Sequence, residues 1–411
     1  MNRKYISEKI IKHLDDKRYS ILIGARQVGK TTVVKQVRDY LESKNEIAVF
    51  ITFENPEILK AINDHPENIF KYAVHPSSLE KKQRLYLLID EVQYAANPSN
   101  FLKYLYDTYE DKVKIIATGS SAFYINKDFK DSLAGRKKIF ELYTLDFEEF
   151  LHFKGQDKLI TDLHELRKRP NYLSLNKHVL QSLFEEYLTY GGYPAVVLQK
   201  NIEDKKELLQ ELVNSYMRKD VSEANLKDEL KFFQLVKILA AQTGDLVNQH
   251  NLGDHLKLSN GAIDNYLYLL RKCFHIHLLP PKHGNIIKEI VKMPKVYFND
   301  LGLRNILLKQ FGNVNDRLDK GHLIENYTYT RLRNLYTTDL LYFWRTADGN
   351  EVDFIVEKTM DKGLAYEVKY SETLYKASKY KKFTNAYPNY DLSLITVNKE
   401  DNSNAIELIR L

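Results

Sequence analysis

The chain has 411 residues, 44% of them apolar and 28% charged, so it can bury a large core and is too long for one compact domain. Its net charge of +6 is spread evenly, since residues 201–300 hold 14 basic and 13 acidic residues and residues 301–411 hold 16 and 15. This distribution excludes a strongly basic nucleic-acid-binding arm. The single cysteine, Cys273, excludes an internal disulfide framework and a cysteine-rich zinc site.

The amino-terminal residues bear on the location of the protein. They read Met-Asn-Arg-Lys-Tyr-Ile-Ser-Glu-Lys and carry charges where a signal peptide needs an apolar stretch. No uncharged apolar run in the sequence approaches the length that spans a bilayer. The low cysteine count fits a reducing compartment. These features predict a soluble, cytoplasmic protein that has no membrane partner.

An apolar strand from Tyr19 to Ile23 leads into a glycine-rich loop and then into a helical pattern. The loop matches G-x-x-x-x-G-K-[ST], and its residues are Gly24, Ala25, Arg26, Gln27, Val28, Gly29, Lys30, Thr31 and Thr32. Glycines allow successive N–H groups and the helix N-terminus to converge on one phosphate. We expect the loop to bind nucleotide, with Lys30 on the β- and γ-phosphates and Thr31 as a Mg²⁺ ligand.

A second apolar run, from Arg84 to Ile89, ends in the adjacent carboxylates Asp90 and Glu91. A continuous apolar run is typical of a buried parallel strand, and this one has the form of a Walker B element. We expect Asp90 to bind Mg²⁺ through water and Glu91 to polarise the attacking water. The alternative is an acidic pair that merely ends a strand.

Three further strands are predicted, at Ile47 to Phe53, Val113 to Ala117 and Lys138 to Tyr143. Strands that alternate with helical segments indicate an α/β fold in which helices cover both faces of a parallel sheet. The sequence therefore predicts the parallel sheet of a P-loop NTPase.

Polar residues beside these strands are candidates for catalysis. Thr118 or Ser120, after the fourth strand along the sequence, could sense the γ-phosphate, and the alternative is a plain turn. Arg136 precedes the last strand and is a candidate for stabilising transition-state charge, either in cis or across a subunit boundary.

The middle of the chain reads as helical. Residues 145–235 have helical periodicity and predict a lid or connector, in which Arg218 and Asp220 either contact nucleotide or pair with neighbours. From residue 246 to 298 the pattern is helix, turn, N-capped helix and two strands, the order of a winged helix-turn-helix. Its second helix presents Asp264 between asparagines, and an acidic residue there weakens the DNA-binding interpretation.

Strands in the C-terminal part carry a second group of polar residues. The pattern predicts a hairpin from residue 340 to 356 and a third strand at 364 to 369. If the polar faces coincide, Asp353 and Glu367 can hold one Mg²⁺ or Mn²⁺ while Lys369 orients the attacking water. The alternative is a half-exposed sheet, on which charged and apolar residues alternate as a matter of course.

These motifs resemble those of bacterial and archaeal AAA-type P-loop ATP-binding proteins, which are allied to signal-transduction (STAND) ATPases and carry an uncharacterised C-terminal domain. The resemblance covers nearly the whole chain and rests on Gly24–Thr32, Leu88–Gln93, Thr118–Ser121, Leu133–Arg136, Gly191–Ala195, Gly349–Phe354 and Tyr366–Lys369. It implies ATP and Mg²⁺ as cofactors. It also implies that Pro194 contacts nucleotide from the lid, with a helix-breaking turn as the alternative. In such ATPases the winged helix often packs on the nucleotide site as a moving part, which we favour over duplex recognition.

The spacing of Asp353 and Glu-x-Lys at 367–369 resembles the PD-(D/E)XK nuclease core. The first helix of that core often adds a glutamate, and Glu325 fits the place. The resemblance implies a smaller α/β, restriction-endonuclease-like domain. The same fold also serves as a binding module, so the residues alone do not establish cleavage.

The sequence thus predicts four domains: a P-loop AAA-type ATPase domain at 1–150, a helical lid at 151–220, a winged-helix-like domain at 221–300 and a nuclease-like domain at 301–411. The leading hypothesis is an ATPase switch that controls a nuclease-like domain acting on DNA or RNA. The rival is a nucleotide-dependent regulatory switch whose C-terminal domain docks a protein partner. A third alternative is a homo-oligomeric nucleic-acid motor.

Overall fold

The structure is a computed structural model that describes residues 3–119, 133–169, 172–223, 226, 228–283, 289, 292–359, 361–399 and 405–411. The chain forms two compact units. The first unit comprises residues 1–143, 219–225 and 272–274, and the second comprises 144–218, 226–271 and 275–411. Across the described ranges, no helix combines the length and the apolar character needed to cross a bilayer. The finer division into four domains stays a prediction.

The first unit is built on a parallel sheet. Its elements are α1 (Lys4–Ile11), β1 (Tyr19–Gly24), α2 (Lys30–Ser43), β2 (Ile47–Thr52), α3 (Pro56–Asp64), β3 (Leu85–Asp90), α4 (Pro98–Tyr109), β4 (Val113–Gly119) and β5 (Lys137–Leu142). The strands pair in parallel in the order β2-β3-β4-β1-β5. Every residue of β1, β3 and β4 is buried, as the continuous apolar runs require of strands covered on both faces. The predicted α/β P-loop sheet is confirmed.

The strand order brings the residues predicted to bind nucleotide together at the carboxyl ends of the strands. Because β1, β3 and β4 are parallel neighbours, the P-loop, Asp90 and Thr118 all lie at their carboxyl ends. At the end of β1, the backbone of Gly24 approaches β5 closely. A Cβ atom at Gly24 would lie 2.1 Å from the carbonyl oxygen of Leu142, so a larger residue would not fit there. The absence of a side chain at Gly24 therefore shapes the loop's entry.

Helices dominate the middle of the chain, in agreement with the predicted periodicity. They are α5 (Phe147–Phe153), α6 (Asp157–Lys168), α7 (Lys177–Tyr190), α8 (Pro194–Leu198), α9 (Ile202–Glu211), a π-helical turn (Leu212–Met217), α10 (Arg218–Glu223), α11 (Glu229–Ala241), α12 (Gln249–Leu256) and α13 (Asn260–Lys272). Nearly all of α10 belongs to the first unit. Aromatic side chains of α5 and α7 pack edge to face in the second unit's core, as in the Phe147–Phe184 pair, with ring centroids 5.0 Å apart.

A short hairpin follows α13. Its strands, β6 (Ile276–Leu279) and β7 (Lys295–Phe298), pair antiparallel, and Leu246 adds a bridge to Lys295. The two helices α12 and α13, followed by this hairpin, form the order of elements predicted for a winged helix. Assignment to that fold stays a prediction, as does its role.

The C-terminal part of the second unit contains a mixed sheet. Its elements are α14 (Leu301–Leu308), α15 (Lys320–Leu335), β8 (Leu341–Arg345), β9 (Glu351–Thr359), β10 (Lys362–Ser371), α16 (Lys381–Ala386), β11 (Tyr390–Asn398) and β12 (Ile406–Glu407). The strand order is β12-β11-β10-β9-β8, with β8, β9 and β10 antiparallel and with β11 parallel to β10. The predicted hairpin and third strand are confirmed, and α15 packs against β10.

Candidate functional sites

The P-loop has a backbone shaped for an anion. Gln27 and Gly29 adopt left-handed backbone conformations, with φ of 59° and 97°, and Gly29 is the N-cap of α2. Lys30 is buried and donates hydrogen bonds to the carbonyl oxygens of Gly24 at 3.1 Å and Ala25 at 2.9 Å. Burial lowers the pKa of Lys30, although the nearby Glu91 carboxylate opposes the shift. Main-chain oxygens thus hold this ammonium group at the loop.

Some of the other loop residues are buried and some are exposed. Ala25 and Val28 are buried and anchor the loop on the core, whereas Thr32 is exposed on the first turn of α2. Arg26 donates through Nε to Asp220 Oδ1 at 3.1 Å, and Asp220 is buried. Of the two interpretations left open for Asp220, the structure supports pairing with a neighbour. Arg218 pairs with Glu229 at 2.9 Å.

Asp90 is the centre of the predicted magnesium site. Thr31 Oγ1 donates to Asp90 Oδ2 at 2.8 Å, and the Thr118 hydroxyl donates to Asp90 Oδ1. The carboxylate is 5% exposed. A hydroxyl from α2 and a carboxylate from β3 therefore lie side by side, which is the oxygen-donor set that Mg²⁺ prefers. These residues fit a nucleotide-bound Mg²⁺ ion.

Glu91 follows in an unusual backbone conformation. Its φ and ψ of 56° and 47° are left-handed, which costs a non-glycine residue on the order of 1–3 kcal/mol. Its N–H donates to Thr118 Oγ1 at 3.0 Å, and Gln93 Nε2 donates to its carboxylate. Thr118 thus connects Asp90 to Glu91. Sequence reasoning did not assign a role to Gln93, whose signal is its position two residues after Glu91. Ser120, the other sensor candidate, lies outside the described residues.

Arg136 lies at the amino-terminal ends of the parallel strands, opposite to the ends where the P-loop begins. Its carbonyl oxygen accepts a hydrogen bond from the N–H of Tyr19 at 2.8 Å, and its side chain donates to Asp107 at 2.7 Å. The P-loop follows the far end of β1, roughly 17 Å away at ~3.3 Å per residue. Arg136 therefore does not reach the P-loop of its own chain, which corrects the predicted role in cis. The role across a subunit boundary stays a prediction.

The Gly-Gly-Tyr-Pro element is a packed junction within the second unit. Gly191 ends α7 with φ of 73°, and a Cβ atom there would lie 2.3 Å from Asp300 Oδ1. Gly192 donates its N–H to Asp300 Oδ2 at 2.8 Å, while Pro194 occupies the first turn of α8. Burial raises the pKa of Asp300, and N–H donors including Gly192 oppose the shift. The contact of Pro194 with nucleotide stays a prediction.

Three of the four residues predicted for the C-terminal site lie side by side, but among the described residues Asp353, Glu367 and Glu325 do not bring their ligand atoms within 4.8 Å of one another. Lys369 Nζ donates to the Glu367 carboxylate and lies 3.9 Å from Asp353 Oδ2. The β9–β10 ladder ends at the pair Phe354 and Tyr366, and beyond it the Val368 N–H donates to Asp353 Oδ2 at 2.9 Å. The strands part where the carboxylates face one another. Glu325, from α15, joins them through the lysine described next.

Lys295 is the residue that sequence reasoning missed. Its Nζ lies 3.1 Å from Glu325 Oε1, 2.6 Å from Glu351 Oε1 and 3.5 Å from Asp353 Oδ1, and the side chain is 2% exposed. Tyr297, two residues along β7, donates its hydroxyl to Glu325 Oε1 at 2.6 Å. The available signal was the alternation in Lys-Val-Tyr-Phe, which puts Lys295 and Tyr297 on one face of the strand.

The electrostatics of this cluster follow from burial. Burial raises the pKa values of Glu325 and Glu367, with the Asp353 charge adding to both shifts. Burial opposes the charge on Lys295, but the surrounding carboxylates outweigh it and raise that pKa. Within the described residues, Glu367 Oε2 is buried without a hydrogen bond of normal geometry. Carboxylate oxygens are the donor type that a hard divalent cation prefers.

Comparison with known families supports the first site. Residues 16–151 match the family described as an AAA domain. Residues 181–313 and 320–410 match two domains of unknown function, DUF8612 and DUF4143. Together with the parallel sheet and the P-loop, the first match supports an AAA-type P-loop domain in this part of the chain. The other two matches supply no activity for the rest of the chain.

Relatives resemble this chain along most of its length. An uncharacterized protein of Haemophilus influenzae is 27% identical over 370 residues, covering 87% of this chain and 84% of the relative. The uncharacterized protein MJ1637 of Methanocaldococcus jannaschii is 26% identical over 340 residues, covering 78% and 69% respectively. The likeness therefore extends beyond the AAA domain into the C-terminal segments.

Solved structures give a weaker likeness. Aeropyrum pernix ORC1 in complex with DNA matches with a TM-score of 0.31 and 12% identity, covering 75% of this chain and 92% of that chain. The replication initiator DnaA bound to AMPPCP and single-stranded DNA matches with a TM-score of 0.30 and 13% identity, covering 65% and 86%. Scores this low carry no argument about what this chain binds.

Proposed function

We propose that the protein is a Mg²⁺-dependent ATPase whose nucleotide state acts as a switch. The observation that carries the proposal is the position of Asp90, which accepts hydrogen bonds from Thr31 and Thr118 at the edge of the sheet where the P-loop begins. Three strand ends thereby supply a loop for phosphates, oxygen ligands for a cation and a polar contact that links them. Neutral hydroxyls hold the carboxylate, so its charge is available to an incoming cation.

Each residue has a distinct task in this scheme. Lys30 binds the β- and γ-phosphates, and Thr31 and Asp90 hold the magnesium ion. Glu91 orients water and accepts its proton, with Gln93 holding the carboxylate in place. Bound Mg²⁺ neutralises charge that develops on the phosphates.

The test separates binding from hydrolysis. Lys30→Ala should lose binding of a fluorescent ATP analogue, because the ammonium group no longer meets the phosphates. Glu91→Gln should bind the analogue normally and hydrolyse ATP about 10²–10⁴-fold more slowly, since it cannot accept the proton. Hydrolysis by Lys30→Ala at the wild-type rate would overturn the proposal.

A second candidate function concerns the C-terminal cluster. We propose that Asp353, Glu367 and Glu325 bind one Mg²⁺ or Mn²⁺ ion and that the cluster cleaves phosphodiester bonds of DNA or RNA under control of the nucleotide state. Lys369 would orient the attacking water. The buried Glu367 carboxylate, which lies beside Lys369 and Asp353, favours this candidate.

Cleavage assays decide between this candidate and its rival. Labelled single-stranded DNA, duplex DNA and RNA are incubated with protein and Mg²⁺ or Mn²⁺, with and without ATP. Metal-dependent cleavage should disappear in Asp353→Ala and Lys369→Ala. Absence of cleavage, with ATP hydrolysis intact, would favour the regulatory switch that docks a protein partner, a rival that the even charge distribution supports. The homo-oligomeric motor would be excluded by full ATPase activity in a strictly monomeric protein.

A further inference from the structure

Lys295 occupies the centre of the C-terminal carboxylate cluster. Its ammonium group contacts Glu325 Oε1 at 3.1 Å and Glu351 Oε1 at 2.6 Å, and lies 3.5 Å from Asp353 Oδ1. These atoms come from α15 and β9, whereas Lys295 comes from the β6–β7 hairpin. Two of the three carboxylates, Glu325 and Asp353, are residues to which the proposed function assigns the metal. The ammonium group and the metal would therefore share ligand atoms.

A metal ion and the ammonium group of Lys295 compete for these carboxylate oxygens because both are positively charged. A divalent cation binds carboxylate oxygens at about 2.0–2.6 Å, closer than an ammonium nitrogen approaches them. A buried ammonium group within a few ångströms of that cation would repel it strongly, because there is little water to screen the charges. Lys295 is 2% exposed, so its charge cannot turn toward solvent at this position. A metal bound by Glu325 and Asp353 would therefore compete with Lys295 for the same oxygen atoms.

Glu351 has a different place from the other carboxylates. Its Oε1 makes the shortest contact with Lys295, and its Oε2 accepts a hydrogen bond from Arg345 at 2.8 Å. Both of its oxygens are therefore held by cations at the start of β9. Glu351 acts as the fixed partner that retains Lys295, and it lies outside the predicted metal-ligand set.

We propose that Lys295 is a built-in counter-cation that competes with a divalent metal for Glu325 and Asp353. The ammonium group must leave these oxygen atoms before a metal can bind them. Lys295 pairs with Leu279 in the hairpin and with Leu246 in a bridge, so the whole hairpin sets its position. This inference rests on the proposed metal site and adds its regulation: Lys295 lowers the affinity of that site for a divalent metal.

Manganese binding to the full chain tests this inference. The free Mn²⁺ signal is titrated by electron paramagnetic resonance without nucleotide, using wild-type protein, Lys295→Met, Asp353→Asn and Lys295→Met/Asp353→Asn. Lys295→Met should bind one Mn²⁺ ion at least about tenfold more tightly than wild type, because a competing charge has been removed. The added Asp353→Asn change should abolish that gain.

A control uses a partly buried ion pair elsewhere in the second unit. Lys282 Nζ contacts Glu357 Oε1 at 2.7 Å, and the two side chains are 14% and 20% exposed. Lys282→Met should leave Mn²⁺ affinity at the wild-type value. If Lys295→Met does not fold, Lys295→Met/Glu351→Gln removes one positive and one negative charge together and should show the same gain.

The outcomes separate this inference from the proposed function. Equal Mn²⁺ affinity in wild type and Lys295→Met, lost in both on Asp353→Asn, would overturn competition by Lys295 and retain the metal site. Absence of specific Mn²⁺ binding in every folded variant would overturn the metal site and the inference together. A gain in Lys282→Met equal to that in Lys295→Met would also overturn the specific role of Lys295.

Discussion

The two carboxylate sites of this protein hold their charges in opposite ways. At the P-loop, hydroxyl groups hold Asp90 and main-chain carbonyl oxygens hold Lys30. In the C-terminal cluster, the ammonium groups of Lys295 and Lys369 hold the carboxylates directly. Neutral hydrogen-bond partners do not compensate the charge of a carboxylate or an ammonium group. Charged partners within the protein do compensate it. Similar residue types therefore give one site with neutral partners and one site with ionic partners.

The largest difference between the sites should appear on removing each lysine. Lys295→Met leaves buried carboxylates without a counter-charge and should lower the free energy of unfolding by about 3–5 kcal/mol. Lys30→Met removes a charge held by carbonyl oxygens and should cost about 1 kcal/mol or less. Urea unfolding measures both. Trp344, the only tryptophan of the chain, reports the second unit by fluorescence, and far-ultraviolet circular dichroism follows the whole protein. Equal costs would break the comparison.

Thr118 tests the neutral character of the P-loop site. Thr118→Val removes the hydroxyl that serves Asp90 and the Glu91 N–H, leaving two polar groups without that partner. We expect a loss of about 1–3 kcal/mol in unfolding free energy. ATP hydrolysis should fall further than ATP-analogue binding, because Glu91 loses its orientation. Thr118→Ser retains the hydroxyl and should restore both properties, and failure of that rescue would argue against this role.

A second ionic cluster, around Asp319, tests the comparison through the pH dependence of stability. Asp319 accepts hydrogen bonds from Arg304 and Arg317 at 2.7 Å. Although burial opposes ionisation, these arginines lower the pKa of Asp319 from 3.8 to about 2. Its stabilisation is therefore complete above pH 3.8 and is lost as the pH falls through 2.

The expected effect of Asp319→Asn follows from that sign. The variant should be about 1–2 kcal/mol less stable than wild type at pH 7, after allowance for partial solvent screening. The gap should narrow as the pH falls below 4, because the wild-type carboxylate becomes protonated. Trp344 fluorescence during urea unfolding at several pH values measures the gap. A gap that does not change with pH would contradict the assignment.

The smallest expected effect concerns Gln93. Gln93→Ala removes the donor to the Glu91 carboxylate and should slow ATP hydrolysis about tenfold with unchanged affinity for an ATP analogue. Gln83→Ala, in an exposed turn of the same unit, is the control and should leave both quantities unchanged. A slower rate accompanied by weaker binding would point to disruption of the loop instead of positioning of Glu91.

The sequence predicted the elements whose determinants are local. The P-loop, its strand and helix, and the carboxylates that end β3 lie within short segments whose pattern sets both structure and position. Lys295 was missed because its partners are remote: Glu325 is 30 residues away and Asp353 is 58 residues away. The residues next to Lys295 in the sequence do not predict which side chains it contacts. Only the packing of β7 beside α15 and β9 brings these charges together.

Arg136 illustrates the opposite error. The sequence correctly placed Arg136 before a strand of the P-loop sheet. The prediction was wrong about which end of the strands it lies at. Parallel strands put residues that precede a strand at one edge and residues that follow it at the other. The role of Asp220 was left open for a different reason, since its partner Arg26 is 194 residues away in sequence.

The composition of the first unit has a consequence for biosynthesis. Residues 219–225 and 272–274 complete a unit whose sheet ends with β5, and Phe274 packs on its core and against Tyr143, with ring centroids 5.4 Å apart. A nascent chain that has emerged only as far as Tyr143 therefore lacks both Asp220 and Phe274. Vectorial folding on the ribosome must wait for more than a hundred further residues, at about 5–20 residues per second, before the nucleotide-binding unit is whole. During those seconds all five strands are present, but the unit still lacks residues that pack on its core.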